Sequence, residues 1–250
     1  KQPERRHPGD TMRQRLMPFL LALAALPLAA QDANAILSRH MQAMGGLEKL
    51  RAVHSIRIKG TMEAAPGIIL PLLIEEVRPN KSRLEARDAD IIFLRLFNGT
   101  KGWLSDPSTG GALRPFTASE LKEATQETFD GDLVEPAARG ARVESIGRQM
   151  IQGREAYGLE ILEKDGSTSL HWVDAQSFLE VQRERDTDSP RGRRTEMTRF
   201  SDFRLVEGVP MAFRVESGQK FTSKVQIIQV SQVQLNPVIP DSDFEALAAR

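Results

Sequence analysis

The sequence predicts a mainly β protein with a few helices: a large, curved antiparallel sheet of about eleven strands wrapped around helical segments. Three observations predict it. From Ser55 onward the apolar period is two, with Ile56, Ile58 and Met62 on one face against Arg57, Lys59 and Thr61 on the other. The breaks between such segments are turn dipeptides, Asn98-Gly99, Asp165-Gly166, Glu207-Gly208 and Ser217-Gly218. Helical spacing occurs only before the first strand, once in mid-chain and at the end.

Met12, Arg13 and Arg15 precede an apolar run from Leu16 to Ala30. A basic start, an apolar stretch and small residues at its end predict a secretory signal peptide cleaved after Ala30. Residues 1–30 are then an upstream extension plus signal peptide, and residues 31–250 form a single domain. Without a cysteine at the cleavage site no lipid anchor is expected there, so the mature protein is placed free in the periplasm. Asp32 reads as an N-cap, and Ile36, Leu37, Met41 and Met44 form one helical face that Gly45-Gly46 ends. Leu47, Leu50 and Val53 continue in a short second helix.

After the strand at Ser55–Met62, strands are expected at 67–78, 82–87, 90–97, 101–105, 141–151, 155–163, 168–174, 178–185, 195–205, 211–217 and 221–235. One helix interrupts them, capped by Thr117 or Ser119 with Glu120 following, Leu121 and Ala124 facing inward, and Phe129 and Gly131 closing it. A last short helix is expected from Asp241 to Ala249.

Zero formal charge leaves no electrostatic footprint for nucleic acid. The absence of cysteine removes disulfide frameworks, thiol catalysis and Cys-ligated metals. No nucleophile elbow, Walker loop or His-Glu-x-x-His motif is present. Gly99-Thr100-Lys101-Gly102 reads as a hairpin turn, because strands flank it on both sides. Of the four histidines, His40, His54 and His171 share no local ligand spacing, so neither a metal nor a cofactor is expected. Asp186, Asp188, Arg191, Arg193 and Arg194 around Ser189-Pro190 allow either a calcium or anion site or a solvated hairpin tip; Pro190 and Gly192 favour the tip.

What the sequence does carry is an apolar excess. Ile68-Ile69-Leu70-Pro71-Leu72-Leu73-Ile74 and Ile91-Ile92-Phe93-Leu94 are apolar on both strand faces, whereas a sheet solvated on one side alternates. Packing on helices and on a loop or partner accounts for this, and so does an apolar cavity between sheet and helices.

At these residues the chain resembles the LolA/LolB-like periplasmic lipoprotein carriers. The resemblance rests on Val77-Arg78-Pro79-Asn80 with Arg83 and Glu85, on Phe97-Asn98-Gly99-Thr100-Lys101-Gly102-Trp103-Leu104 followed by Asp106-Pro107, and on Phe200-Ser201-Asp202-Phe203-Arg204, Gly208-Val209-Pro210 and Asn236-Pro237 through Asp243-Phe244. It spans nearly all of residues 32–248. It implies an unclosed antiparallel β-barrel with helices forming a lid over an apolar cavity, and it gives Arg78 the part of a lid latch bonded to lid backbone. The mature chain and its polar 184–196 hairpin are longer than in the usual carrier.

Such a carrier needs no catalysis. It shields acyl chains of a lipoprotein or lipid, each methylene of which costs about 0.8 kcal/mol in water, and passes them toward the outer membrane. Candidate cavity-lining residues are Ile56, Ile58, Ile74, Phe93, Trp103, Tyr157, Leu159, Ile161, Trp172 and Phe213; candidate lid residues are Leu121, Phe129 and Leu133. The resemblance implies an inner-membrane exporter and an outer-membrane acceptor as partners, and a carrier with one mouth works as a monomer. The alternatives are a lipid- or lipoprotein-sensing adaptor of the same fold and, third, a lipid or glycan hydrolase.

Overall fold

The computed structural model describes residues 32–88, 91–107, 110–127, 129–189, 192–222 and 225–246. The predicted signal segment, the tip at Pro190 and Arg191, and the chain end lie outside them. Helices α1 (Ala33–Ala43) and α2 (Leu47–Ala52) precede β1 (Ser55–Ala65), β2 (Ile68–Val77), β3 (Lys81–Asp88), β4 (Ile91–Phe97), β5 (Gly102–Ser105) and β6 (Arg114–Pro115). After α3 (Ala118–Gln126) come β7 (Arg142–Ile151), β8 (Arg154–Leu162), β9 (Thr168–Asp174), β10 (Glu180–Ser189), β11 (Gly192–Val206), β12 (Val209–Gln219) and β13 (Val225–Leu235).

All 13 strands form one open antiparallel sheet in the order β6-β5-β4-β3-β2-β1-β13-β12-β11-β10-β9-β8-β7. The chain starts in the middle of the sheet, meanders to one edge at β6, crosses, and meanders back from the other edge at β7 until β13 pairs with β1. The crossing segment, α3 and residues 129–141, spans the open side of an unclosed barrel. At one edge, β6 is only two residues long and ends in Pro115, which has no N–H to donate, so it offers little template for further pairing.

Parity explains the sheet's two faces. Ile58 pairs with Ile74, which pairs with Leu84, and these face inward. On the outer face Arg57 pairs with Glu75, which pairs with Arg83, a cross-strand ladder of opposite charges. The Arg57 Nε–Glu75 Oε1 distance is 2.6 Å, and the C-terminal segment supplies the Val238 carbonyl to Arg57. The apolar run of β2 is likewise split: Leu70 and Leu72 are buried inward, whereas Ile69 is exposed.

Capping follows the sequence. Asp32 accepts from the Asn34 amide, and Thr117 with Glu120 forms a reciprocal capping box at α3. At the Asn98-Gly99 turn the Asn98 side chain accepts from the Thr100 and Lys101 amides. Two expectations are corrected. Ser217-Gly218 is not a turn: Gly218 pairs with both Met197 and Val225 inside the ladder, and β12 runs on to Gln219. The expected helix from Asp241 to Ala249 is a single 3-10 turn, Asp241–Phe244, ended by the extended backbone of Glu245; residues 247–250 lie outside the described chain.

Close approach requires glycine at position 60. It sits at the register shift between β1 and β13, where an added Cβ would lie 2.2 Å from the Gln229 carbonyl oxygen. A backbone atom inside a ladder cannot step aside, so Gly60→Ala is expected to cost about 3 kcal/mol. That lowers the melting temperature by roughly 6–12 °C, read by thermal denaturation; an unchanged melt would refute this register.

Candidate ligand cavity

The concave face of β1, β2 and β10–β13 is closed by α1, α2, Glu127 and residues 129–133, which leaves a cavity of about 510 Å³. This lies within the range of small-molecule sites, about 300–1,000 Å³. Its floor is apolar: Ile56, Ile58, Ile74, Val215, Ile228 and Val230 from the sheet. Met44 and Leu50 from the helices, with Phe129 and Leu133 from the crossing segment, form the roof. Ile74 and Ile228 also pack against a second inward cluster of Met62, Leu70, Leu72 and Ala86. The apolar floor therefore continues beyond the cavity toward the hairpin end, where Ala64, Pro66, Thr187, Glu196, Ser217 and Gln226 line a second opening of about 800 Å³.

The roof is held by arginines from opposite walls. From the end of β2, Arg78 Nε donates to the Val53 carbonyl at 2.6 Å and Nη2 to the Leu50 carbonyl at 2.9 Å, tying the last turn of α2. The same guanidinium grips both oxygens of Asp130, with Nη1–Oδ2 at 2.6 Å, and lies 4.3 Å from the Phe129 ring centroid. From β10, Arg185 bonds Asp132, and Arg183 Nη1 stands 3.6 Å from the same oxygen. Leu133 packs with Ile36, Leu159 and Ile161, and Val134 with Leu50 and Val209, so the segment is seated by apolar contacts as well.

Asp132 is buried, which alone would raise its pKa, but Arg185, Arg183 and His171 outweigh burial and hold the carboxyl below its ordinary value. His171, fully buried, donates or accepts through Nδ1 with Glu180 at 2.6 Å and through Nε2 with Ser169 at 2.8 Å. Burial likewise acts to raise Glu180, and the adjacent His171 overrides it, leaving this carboxyl low. His40 is pushed down by burial, against the opposing effect of its 2.8 Å hydrogen bond to the Phe178 carbonyl.

On the opposite wall, burial together with the nearby Glu127 raises the Glu76 carboxyl to about 7, against the effect of Arg95. The folded state then keeps a proton that the unfolded chain releases near pH 4.5. The Glu76 contribution is intact below that pH and is lost as the pH rises toward 7. Glu76→Gln is expected to raise stability at pH 8 by up to about 3 kcal/mol and to change little at pH 4. Denaturant melts at the two pH values measure it; equal effects at both would refute the shift.

The ten candidate lining residues divide. Ile56, Ile58 and Ile74 line the cavity. Tyr157, Leu159 and Ile161 are buried beneath α1 with Ala33 and Ile36. Phe93 packs against the Met62–Leu70 cluster, and Trp172 lies in a separate core with Ile151, Ala156 and Val181, its ring filling the space that a side chain at Gly158 would occupy. Trp103 pairs with Leu96 and Pro115 near the sheet edge, and Phe213 is buried with the Arg204 guanidinium 4.4 Å from its ring centroid. Of the lid candidates, Phe129 and Leu133 line the cavity, while Leu121 on α3 is outside it. Sequence reasoning passed over Glu76, Asp132, Glu180, Arg183 and Arg185, all of them lining. At the β10–β11 tip, Asp186 is paired with Arg193 at 3.0 Å and accepts from Thr195 at 2.6 Å.

No protein-family model matches the chain, and no curated protein sequence matches it. Solved structures do. A DUF1329 family protein from Desulfovibrio piger ATCC 29098 superposes with a TM-score of 0.56 at 16% identity, over 85% of this chain and 97% of that one. A LolA superfamily protein from Nitrosomonas europaea gives 0.53 at 18% identity, over 86% and 98%. An outer membrane lipoprotein-sorting protein domain from Vibrio parahaemolyticus, so described as putative, gives 0.51 at 13% identity, over 85% and 97%. With the open sheet and its roofed cavity, these matches show that the chain has the fold of LolA superfamily and lipoprotein-sorting proteins.

Proposed function

We propose that the protein is a non-catalytic periplasmic carrier that shelters the acyl chains of a lipid or lipoprotein in the cavity and releases them toward the outer membrane. The observation that supports this most is an apolar floor roofed by the two N-terminal helices and by residues 129–133, a segment that arginines clamp from both walls. Acyl chains need only burial, worth about 0.8 kcal/mol per methylene, and a roof that opens. Inner-membrane loading and outer-membrane unloading supply the direction. The name of the Vibrio parahaemolyticus neighbour, a lipoprotein-sorting protein domain, agrees with this reading.

Ser169, His171 and Glu180 have the spacing of a hydrolase relay. Ser169 nevertheless sits inside β9, whose two flanks are both paired, so the neighbouring amides are engaged in ladders rather than gathered to hold an oxyanion. The relay is structural in this reading. Native mass spectrometry of the protein purified without detergent tests the proposal. Adducts of lipid or lipopeptide mass are expected; a bare mass that persists after incubation with phospholipid and lipoprotein would overturn it.

A further inference from the structure

Resting on the carrier reading and narrowing it, we infer that the cargo is an anionic amphiphile whose headgroup replaces Asp132 on the Arg183–Arg185 pair. In the closed form Asp132 is the counter-ion of both guanidiniums, and it is buried on the very segment that roofs the cavity. Admitting a chain-bearing ligand displaces that segment and takes Asp132 away. The two arginines then face the cavity with Glu180 and Glu127 as the remaining carboxylates nearby, and both are already engaged, Glu180 by His171 and Glu127 by Arg95.

Acyl chains expel water from the space the arginines line, and an uncompensated cation in such a place is strongly unfavourable. A phosphate or carboxylate head restores the balance, and the planar guanidinium forks bind either one in bidentate fashion. An uncharged acylglycerol offers nothing in return for the lost Asp132. Roof opening and headgroup capture become a single exchange: an internal carboxylate leaves and an external anion takes its place. The closed state is thereby protected from uncharged apolar molecules, which can fill the floor but cannot replace the counter-ion.

Three ligands with the same chain separate the possibilities: oleoyl lysophosphatidic acid, oleic acid and 1-oleoylglycerol, each titrated below its micelle concentration. One or both anionic ligands are expected to bind at least about tenfold more tightly than oleoylglycerol, and the one preferred distinguishes a phosphate head from a fatty-acid carboxylate. In Arg183→Gln/Arg185→Gln the ratio is expected to collapse toward one, through weaker binding of the anions. Arg185→Lys, which keeps the charge and loses the fork, should retain part of the preference. Asp132→Asn should tighten anion binding by removing the competitor. If the double variant does not fold, the wild-type ratio and Arg185→Lys still decide. Equal binding of all three ligands would overturn the headgroup assignment and leave the carrier standing. Binding of none would overturn the carrier as well.

Discussion

Replacing Arg78 by alanine is expected to destabilise the protein by about 3 kcal/mol and to free the roof from the β2 wall. One guanidinium satisfies two carbonyls at the end of α2, neutralises Asp130 and covers the Phe129 ring. Its removal strands a carboxylate that is itself only 22% exposed, and breaking such pairs costs several kcal/mol when the partner stays buried. The loss corresponds to roughly 6–12 °C in melting temperature for a chain of this size. Hydrogen exchange should quicken first at Gly131–Val134 and at the last turn of α2, and bound lipid should exchange faster than in the wild type. Arg78→Lys restores the charge but not the fork, so it should recover stability only in part. If Arg78→Ala melts like the wild type and its roof amides stay protected, Arg78 is not a latch.

The fold was largely legible because it is built from local rules. Period-two alternation and turn dipeptides give most of the strands, and each hairpin pairs neighbours in sequence; the β1–β13 pairing joins the two ends of the sheet's path and leaves no local sign, and β6 is too short to leave a pattern. The failures were where tertiary context decides. Gly218 looks like a turn residue but is held in a ladder by strands on both sides. Among the cavity residues, Ile56 and Ile58 could be read from the alternation of β1, and Ile74 from the apolar run of β2, both strands near the centre of the sheet. Trp172 and Phe93 could not be separated from them: apolar character marks burial, not which buried face meets a cavity. The charged lining was invisible for a different reason. Asp132 and Arg185 are 53 positions apart and meet only because the chain crosses from one edge of the sheet to the other before β10 is laid down. Asp132, two residues after Asp130 in the loop following α3, carries no local sign of that partner.

That distinction gives the second large effect. Ile228→Glu should abolish lipid retention, because Ile228 lies on the floor opposite Val215 and beside Met62, where acyl chains would replace water. A carboxylate there must be either desolvated by the chains or protonated, and each option weakens binding by several kcal/mol, which is a fall of more than about a hundredfold. Leu205→Glu adds the same charge at a side chain that is 74% exposed and should leave both retention and melting unchanged. Trp172→Glu puts the charge into the core of Ile151, Ala156 and Val181, away from the cavity, so it should unfold the sheet rather than empty a folded one. Native mass spectrometry and thermal melts of the three variants separate these outcomes. A folded Ile228→Glu protein that still carries lipid would place the cargo elsewhere, for which the second opening lined by Ala64 and Pro66 is large enough.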